Sequence, residues 1–119
     1  MATIDLGAAN FESTVTSNDI VFVDFWASWC GPCRMFAPVH ETVSAAHLDI
    51  VFGKVDTEAE RELASAAQIT SIPTLMAFKG GTPVFSQPGA LPAAALEQLI
   101  TAVRDLDIEA ALADQKRSA

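Results

Sequence analysis

The chain holds only two cysteines in 119 residues. That excludes a small secreted scaffold held together by a disulfide framework. It needs no such framework, because half of its residues are hydrophobic. A domain of this length buries roughly two thirds of the surface its unfolded chain exposes. There is no excess of basic charge either. The net charge is −8 and the pI about 4.4, so the footprint of a nucleic-acid binder is missing and no nucleic-acid partner is expected. Acidity of this kind favours solubility and repulsion from anionic surfaces. No apolar run is long enough to cross a bilayer: residues 20–25, IVFVDF, are among the longest, and no membrane partner is expected. The N-terminal stretch MATIDLGAANFEST has neither the basic region nor the long apolar region of a secretory signal, so the expected location is the cytoplasm. Internal repeats, low-complexity linkers and glycine-rich nucleotide loops are also missing, which leaves one domain with no dinucleotide site of its own.

What is present reads as alternating strands and helices. Residues 20–25 are β-branched and aromatic, a buried strand interrupted by Asp24. The segment after it becomes helical, with Phe36, Val39, Val43 and Ala46 on one face, and Pro38 predicts a kink inside that helix. Residues 50–56, IVFGKVD, form a second strand, and residues 58–67, EAERELASAA, a helix with acidic residues in its first turn. A strand–helix–strand order implies a parallel pair with a crossover. The runs TLMAF (74–78) and PVFSQ (83–87) flank KGGT, which predicts an antiparallel hairpin. Leu96, Leu99, Ile100 and Val103 give another helical stripe, and FEST (11–14) begins an early helix. The expected class is α/β, a central mixed β-sheet flanked by helices. From Asp107 the helix could continue through IEAALA, and DQKRSA reads as a frayed tail.

Both cysteines lie in FWASWCGPCRMFAP, as Cys30 and Cys33 with Gly31 and Pro32 between them. Such a pair can hold a metal, staple a fold or pass electrons. A staple across so short a loop constrains the unfolded chain little. A closed zinc site needs four protein ligands, and the only histidines, His40 and His47, follow Cys33 at spacings of seven and fourteen, which is not a finger pattern. No metal is expected, and both histidines read as surface or rim residues of the helix. Electron transfer fits the context. Cys33 falls in the first turn of a helix, whose free N–H groups and dipole stabilise a thiolate. Pro32 suits the first helical position. Gly31 leaves the turn without side-chain bulk. Cys30, nearer the strand end and expected to be the more exposed, would attack a disulfide, and Cys33 would resolve the mixed disulfide.

The same residues resemble the thioredoxin family. A CxxC beside a βαβ pattern is the general signal. Here VDFWASWCGPC (23–33), resembling the bacterial-type WCGPC active site, is followed by MFAP (35–38), KVD (54–56), SIPTL (71–75), FKGG (78–81) and PGAL (88–91) at spacings similar to the family's. The resemblance covers about residues 5 to 106, so the expected domain is 1–106 with a C-terminal extension at 107–119. It implies the thioredoxin fold and thiol–disulfide exchange, with Cys30 as nucleophile and Cys33 as resolving thiol. It also implies Trp29 as an aromatic lip, Gly31 and Pro32 as determinants of the reduction potential, and Asp24 as a buried acid beneath the dithiol. Pro73 would be a cis-proline facing the dithiol, and Gly89 would line a substrate groove. No bound cofactor is implied. Electrons would come from NADPH through a flavin-containing thioredoxin reductase, substrates would be disulfide-containing proteins, and the chain would work as a monomer.

Several of these positions have a physical reading of their own. A buried Asp24 without a partner would have a raised pKa and could take the Cys33 proton. Lys54, on the adjacent strand, would be its partner. The alternative is a hydrogen-bonded structural carboxylate. Taken alone, Ile72-Pro73 would be an ordinary trans bond at a strand edge; only the resemblance makes it cis. A cis bond there would leave Ile72 backbone groups free to pair with an extended substrate. Trp29 belongs to the contact surface, and Trp26 to packing. Arg34 stands where many relatives have Lys and keeps a positive charge near the thiolate.

Three functions fit. One is a protein-disulfide reductase. Another is an oxidase or isomerase on the same fold, against which the Gly-Pro dipeptide argues. The third is a binding module with an idle dithiol, gripping partners beside Trp29, Ile72 and Gly89.

Overall fold

A computed structural model describes residues 3–109. Its nine elements follow the order β1 (Thr3–Asp5), α1 (Phe11–Ser17), β2 (Ile20–Trp26), α2 (Gly31–Ala45), β3 (Val51–Asp56), α3 (Arg61–Ala66), β4 (Thr74–Lys79), β5 (Thr82–Pro88) and α4 (Ala93–Asp105). The strands form one mixed sheet in the order β1-β3-β2-β4-β5. β3 runs parallel to both β1 and β2, while β4 is antiparallel to β2 and β5. The KGGT turn closes the hairpin through Gly80 and Gly81, whose φ of 59° and 82° lie in the left-handed region that side chains disfavour.

The sheet separates two cores, and the alternation of strand residues assigns each side chain to one of them. Phe22, Phe52, Leu75 and Ala77 face α2 and α4, where they meet Phe36, Val43, Leu96, Ile100 and Val103. Val21, Val23, Phe25, Val55, Met76 and Phe78 face the other way, against Leu6, Val15 and the partly buried Leu63. Asp24 alternates with Val23 and Phe25, so it shares the α2 face. Gly53 is required at the centre of β3, because a Cβ there would lie 2.3 Å from Leu6 Cδ1.

The structure changes several expectations. α3 begins at Arg61 rather than near residue 58. Asp56 Oδ1 accepts the Glu58 N–H at 2.9 Å, and the Thr57 N–H donates to Trp26 O at 2.9 Å, so a turn takes up the chain first. In α2, Ala46 lies just past the helix and is exposed. The inward stripe is Phe36, His40 and Val43, with the expected Val39 partly buried against the same core. His40 is therefore a core residue and not a rim one, with 0% exposure. Its Nε2–H donates to Gly53 O at 3.0 Å, and its ring packs between Phe36 and Phe52. Burial lowers its pKa to about 4. His47 sits near the surface as expected, donating from Nε2 to Glu97 Oε1 at 2.5 Å and tying α2 to α4. Beyond α4, Leu106 and Asp107 are not helical, and Ile108 and Glu109 resume a helix. The rest of the expected IEAALA helix and the DQKRSA tail lie outside the described residues.

Candidate active site

Cys30 is the N-cap of α2, with Gly31 and Pro32 at the first two helical positions and Cys33 third. Pro32 thus stands one place later than expected, where its missing N–H is equally harmless. The Cys33 N–H donates to Cys30 Sγ at 3.2 Å. The two sulfurs form a disulfide with a Cα–Cα distance of 5.2 Å. The sulfur of a residue at the N-cap faces backbone N–H groups that have no helical partner, the environment that favours a thiolate once the bond is reduced.

Burial corrects one expectation. Cys30 is only 5% exposed and Cys33 2%, so the first cysteine is barely the more open of the pair. The cause is a small apolar cluster in which Ala27 and the two cysteines pack with Trp26 and Ile72. Access therefore depends on what surrounds the sulfurs. Gly31 has open space where a Cβ would stand. Trp29 is 65% exposed and held by its indole N–H, which donates to Glu58 Oε1 at 2.6 Å. Arg61 in turn donates to Glu58 Oε2 at 3.3 Å. Sequence reasoning did not find Glu58; only the β3–α3 turn, which wraps back toward the N-terminus of α2, brings it to Trp29.

On the other side lies the start of β4. The Ile72-Pro73 bond is cis, and Ile72 O lies 3.7 Å from Cys30 Sγ. Pro73 O accepts the Gly89 N–H at 2.8 Å, and Gly89 has a φ of 109°. The residues singled out from the sequence at 72, 73 and 89 thus meet beside the dithiol, at the shared end of β4 and β5.

On the α2 face of β2, Asp24 is completely buried, and neither carboxylate oxygen has a hydrogen-bond partner. Desolvation raises its pKa from the usual 3.8 to about 7, against the opposing field of Lys54. Lys54 stands opposite Asp24 in the β2–β3 register, as expected. It makes no ion pair with Asp24, because its ammonium sits over the Trp26 ring, 5.0 Å from the centroid. A cavity of about 110 Å³ opens beside Cys33, with Trp26 and Lys54 in its wall.

A vicinal cysteine pair at a helix N-terminus, with the cis Ile72-Pro73 segment beside it, is equipped for disulfide exchange. Comparison with known proteins agrees. Residues 2–102 match the thioredoxin family. A Streptomyces coelicolor protein assigned as thioredoxin 2 is 52% identical over 99% of this chain and 90% of its own length. A mutant thioredoxin from Halobacterium salinarum superposes with a TM-score of 0.80 at 34% identity, covering 88% of this chain and 92% of its own. In Mycobacterium leprae, a bifunctional thioredoxin reductase/thioredoxin is 44% identical over 75% of this chain, which matches 20% of that longer protein. The chain belongs to the thioredoxin family. It is a protein-disulfide oxidoreductase with a redox-active Cys30–Cys33 disulfide, and the family implies a thioredoxin reductase partner and disulfide substrates.

Proposed function

We propose that the protein works in the reducing direction, as a general protein-disulfide reductase with a bacterial-type WCGPC active site. In the dithiol form, the Cys30 thiolate attacks a substrate disulfide. One substrate sulfur leaves as a thiol, and a mixed disulfide with Cys30 forms. Cys33 then attacks Cys30 Sγ, releasing the second substrate thiol and restoring the Cys30–Cys33 disulfide. Asp24 accepts the Cys33 proton in that step. A thioredoxin reductase carrying flavin and using NADPH returns two electrons to the disulfide, the electron-transport role expected in the cytoplasm.

Trp29, Ile72, Pro73 and Gly89 bind an extended segment of substrate. Gly31 and Pro32 tune the reduction potential. Lys54 and Trp26 support Asp24. The working unit is a monomer, with the domain ending near residue 106 and residues 107–119 as an extension.

The observation that carries this reading is the Cys30–Cys33 pair at the α2 N-terminus, with Ile72 O 3.7 Å from Cys30 Sγ. The existence of a reductase/thioredoxin fusion among the relatives supports the choice of electron donor.

The test is the reduction potential of the couple, measured by equilibration in defined thiol–disulfide buffers. A value near −270 mV, where thioredoxins lie, is expected. A value near −180 mV, typical of protein disulfide isomerase, would replace the reductase reading with an oxidase or isomerase.

A further inference from the structure

The described residues include five cationic side chains, and three are already engaged. Arg61 pairs with Glu58 at 3.3 Å. Lys79 Nζ donates to the carbonyl oxygens of Val103, Arg104 and Leu106, each at 2.8 Å, closing the C-terminus of α4. Arg104 holds Asp49 in a two-pronged contact at 2.6 and 3.0 Å. Arg34 and Lys54 remain, and neither forms an ion pair among the described residues. In a chain of net charge −8, carboxylates are the abundant partner, yet these two cations lack one and line the same cavity beside Cys33.

Each is held where it stands by something other than an anion. Arg34 Nη1 donates to Ser28 O at 2.9 Å, which fixes the guanidinium and leaves most of its five donors unused. The Lys54 ammonium rests over the Trp26 ring. Two cations with unused donors therefore border one space, and Trp26, whose buried indole N–H is unpaired, lines it as well. Lys54 also borders the neighbouring cleft with Asp5, Asp56 and Glu60, and it pairs with none of them.

We propose that this cavity is an oxyanion-binding site, which takes one phosphate or carboxylate group beside Cys33. Its volume of about 110 Å³ admits such a group, whereas pockets for drug-sized ligands run to about 300 Å³ and more. Arginine and lysine together supply the forked and the point-charge donor that such groups accept from. The site stands whichever direction the dithiol works in.

The experiment is a titration of the oxidised protein, followed by heteronuclear NMR, with ionic strength held constant by chloride to remove screening effects. Inorganic phosphate is one probe and glutarate the other. Saturable shifts at the Trp26 indole and the Arg34 guanidinium are expected, with a Kd on the order of 1 mM for at least one probe. Preference for phosphate assigns the site to a free phosphate-class ligand; preference for glutarate assigns it to a carboxylate, such as an acidic side chain of a substrate. Arg34→Gln, on the exposed face of α2, should weaken binding at least tenfold and leave the α4 resonances in place, while Arg34→Lys retains it. Linear drift with both probes, or saturation unchanged by R34Q and by Lys54→Met, overturns the proposal.

Discussion

Replacing Asp24 by Asn should stabilise the oxidised protein, by an amount that grows as pH rises from about 4 and levels off above about 7. The folded state raises the pKa of this carboxyl from 3.8 to about 7. The folded form therefore holds the proton more tightly than the unfolded chain. Stability is complete below the unfolded value and falls as pH rises through the folded one. At 1.36 kcal/mol per pH decade, the gap between the two values sets a ceiling of about 4 kcal/mol. Asparagine keeps the shape and the buried polar atoms but cannot ionise. Urea unfolding of both proteins across about pH 4 to 8 checks this. Near pH 4 the two should be equal; by about pH 8 the variant should be more stable by a few kcal/mol, the difference growing most steeply between. A difference that stays flat with pH would refute the reasoning, since a packing change does not titrate. A gain at acid pH that vanishes at alkaline pH would have the wrong sign altogether.

The other core titration runs the opposite way. His40 is held neutral with a pKa of about 4 against a usual 6.5, so stability drops as pH falls through that window, by up to about 3 kcal/mol. His40→Leu should remove that acid-side loss in the same urea series, and an unchanged loss would locate it elsewhere. Cys33→Ser should accumulate mixed disulfides with substrate, seen on non-reducing gels, whereas Cys30→Ser should abolish turnover without trapping; intact turnover in Cys33→Ser would rule out the two-cysteine sequence. Gly53→Ala drives a Cβ to 2.3 Å from Leu6 Cδ1 and should cost about 1–3 kcal/mol in unfolding experiments, with Leu6→Ala in the same chain recovering part of it. Gly89→Ala forces a side chain onto a φ of 109°, at about 1–3 kcal/mol, and should raise the KM for a protein disulfide more than it lowers kcat.

Most of the fold was legible because the signals were local. The hairpin was written in a Gly-Gly pair between two β-rich runs, and the β2–α2–β3 unit in a change of hydrophobic period. Asp24 stood out as a charge within an apolar run, and the structure buries it without a partner. His40 was missed because composition places histidine at surfaces, while the true inward stripe runs through positions 36, 40 and 43. A spacing of four followed by three is as helical as the three-then-four that Val39 offered; periodicity alone does not choose between them. The exposure expected for Cys30 failed for a nonlocal reason: Ile72, forty-two positions later, folds over it. Register alone predicted that Lys54 would meet Asp24. The aromatic ring two residues along β2 captured the ammonium instead.

The two outer strands have a consequence for behaviour at high concentration. A protein that offers backbone to extended partners risks offering it to copies of itself, and sheet edges are where that begins. One edge, β1, is only three residues long. The other, β5, carries Pro83 and Pro88 and a register shift opposite Ala77 and Phe78. Proline removes edge donors, and the shift breaks the flat ladder that a second molecule would extend. The sheet is thus blunted at both margins. A second copy therefore meets little continuous ladder to extend at either margin, even though half of the chain's residues are hydrophobic.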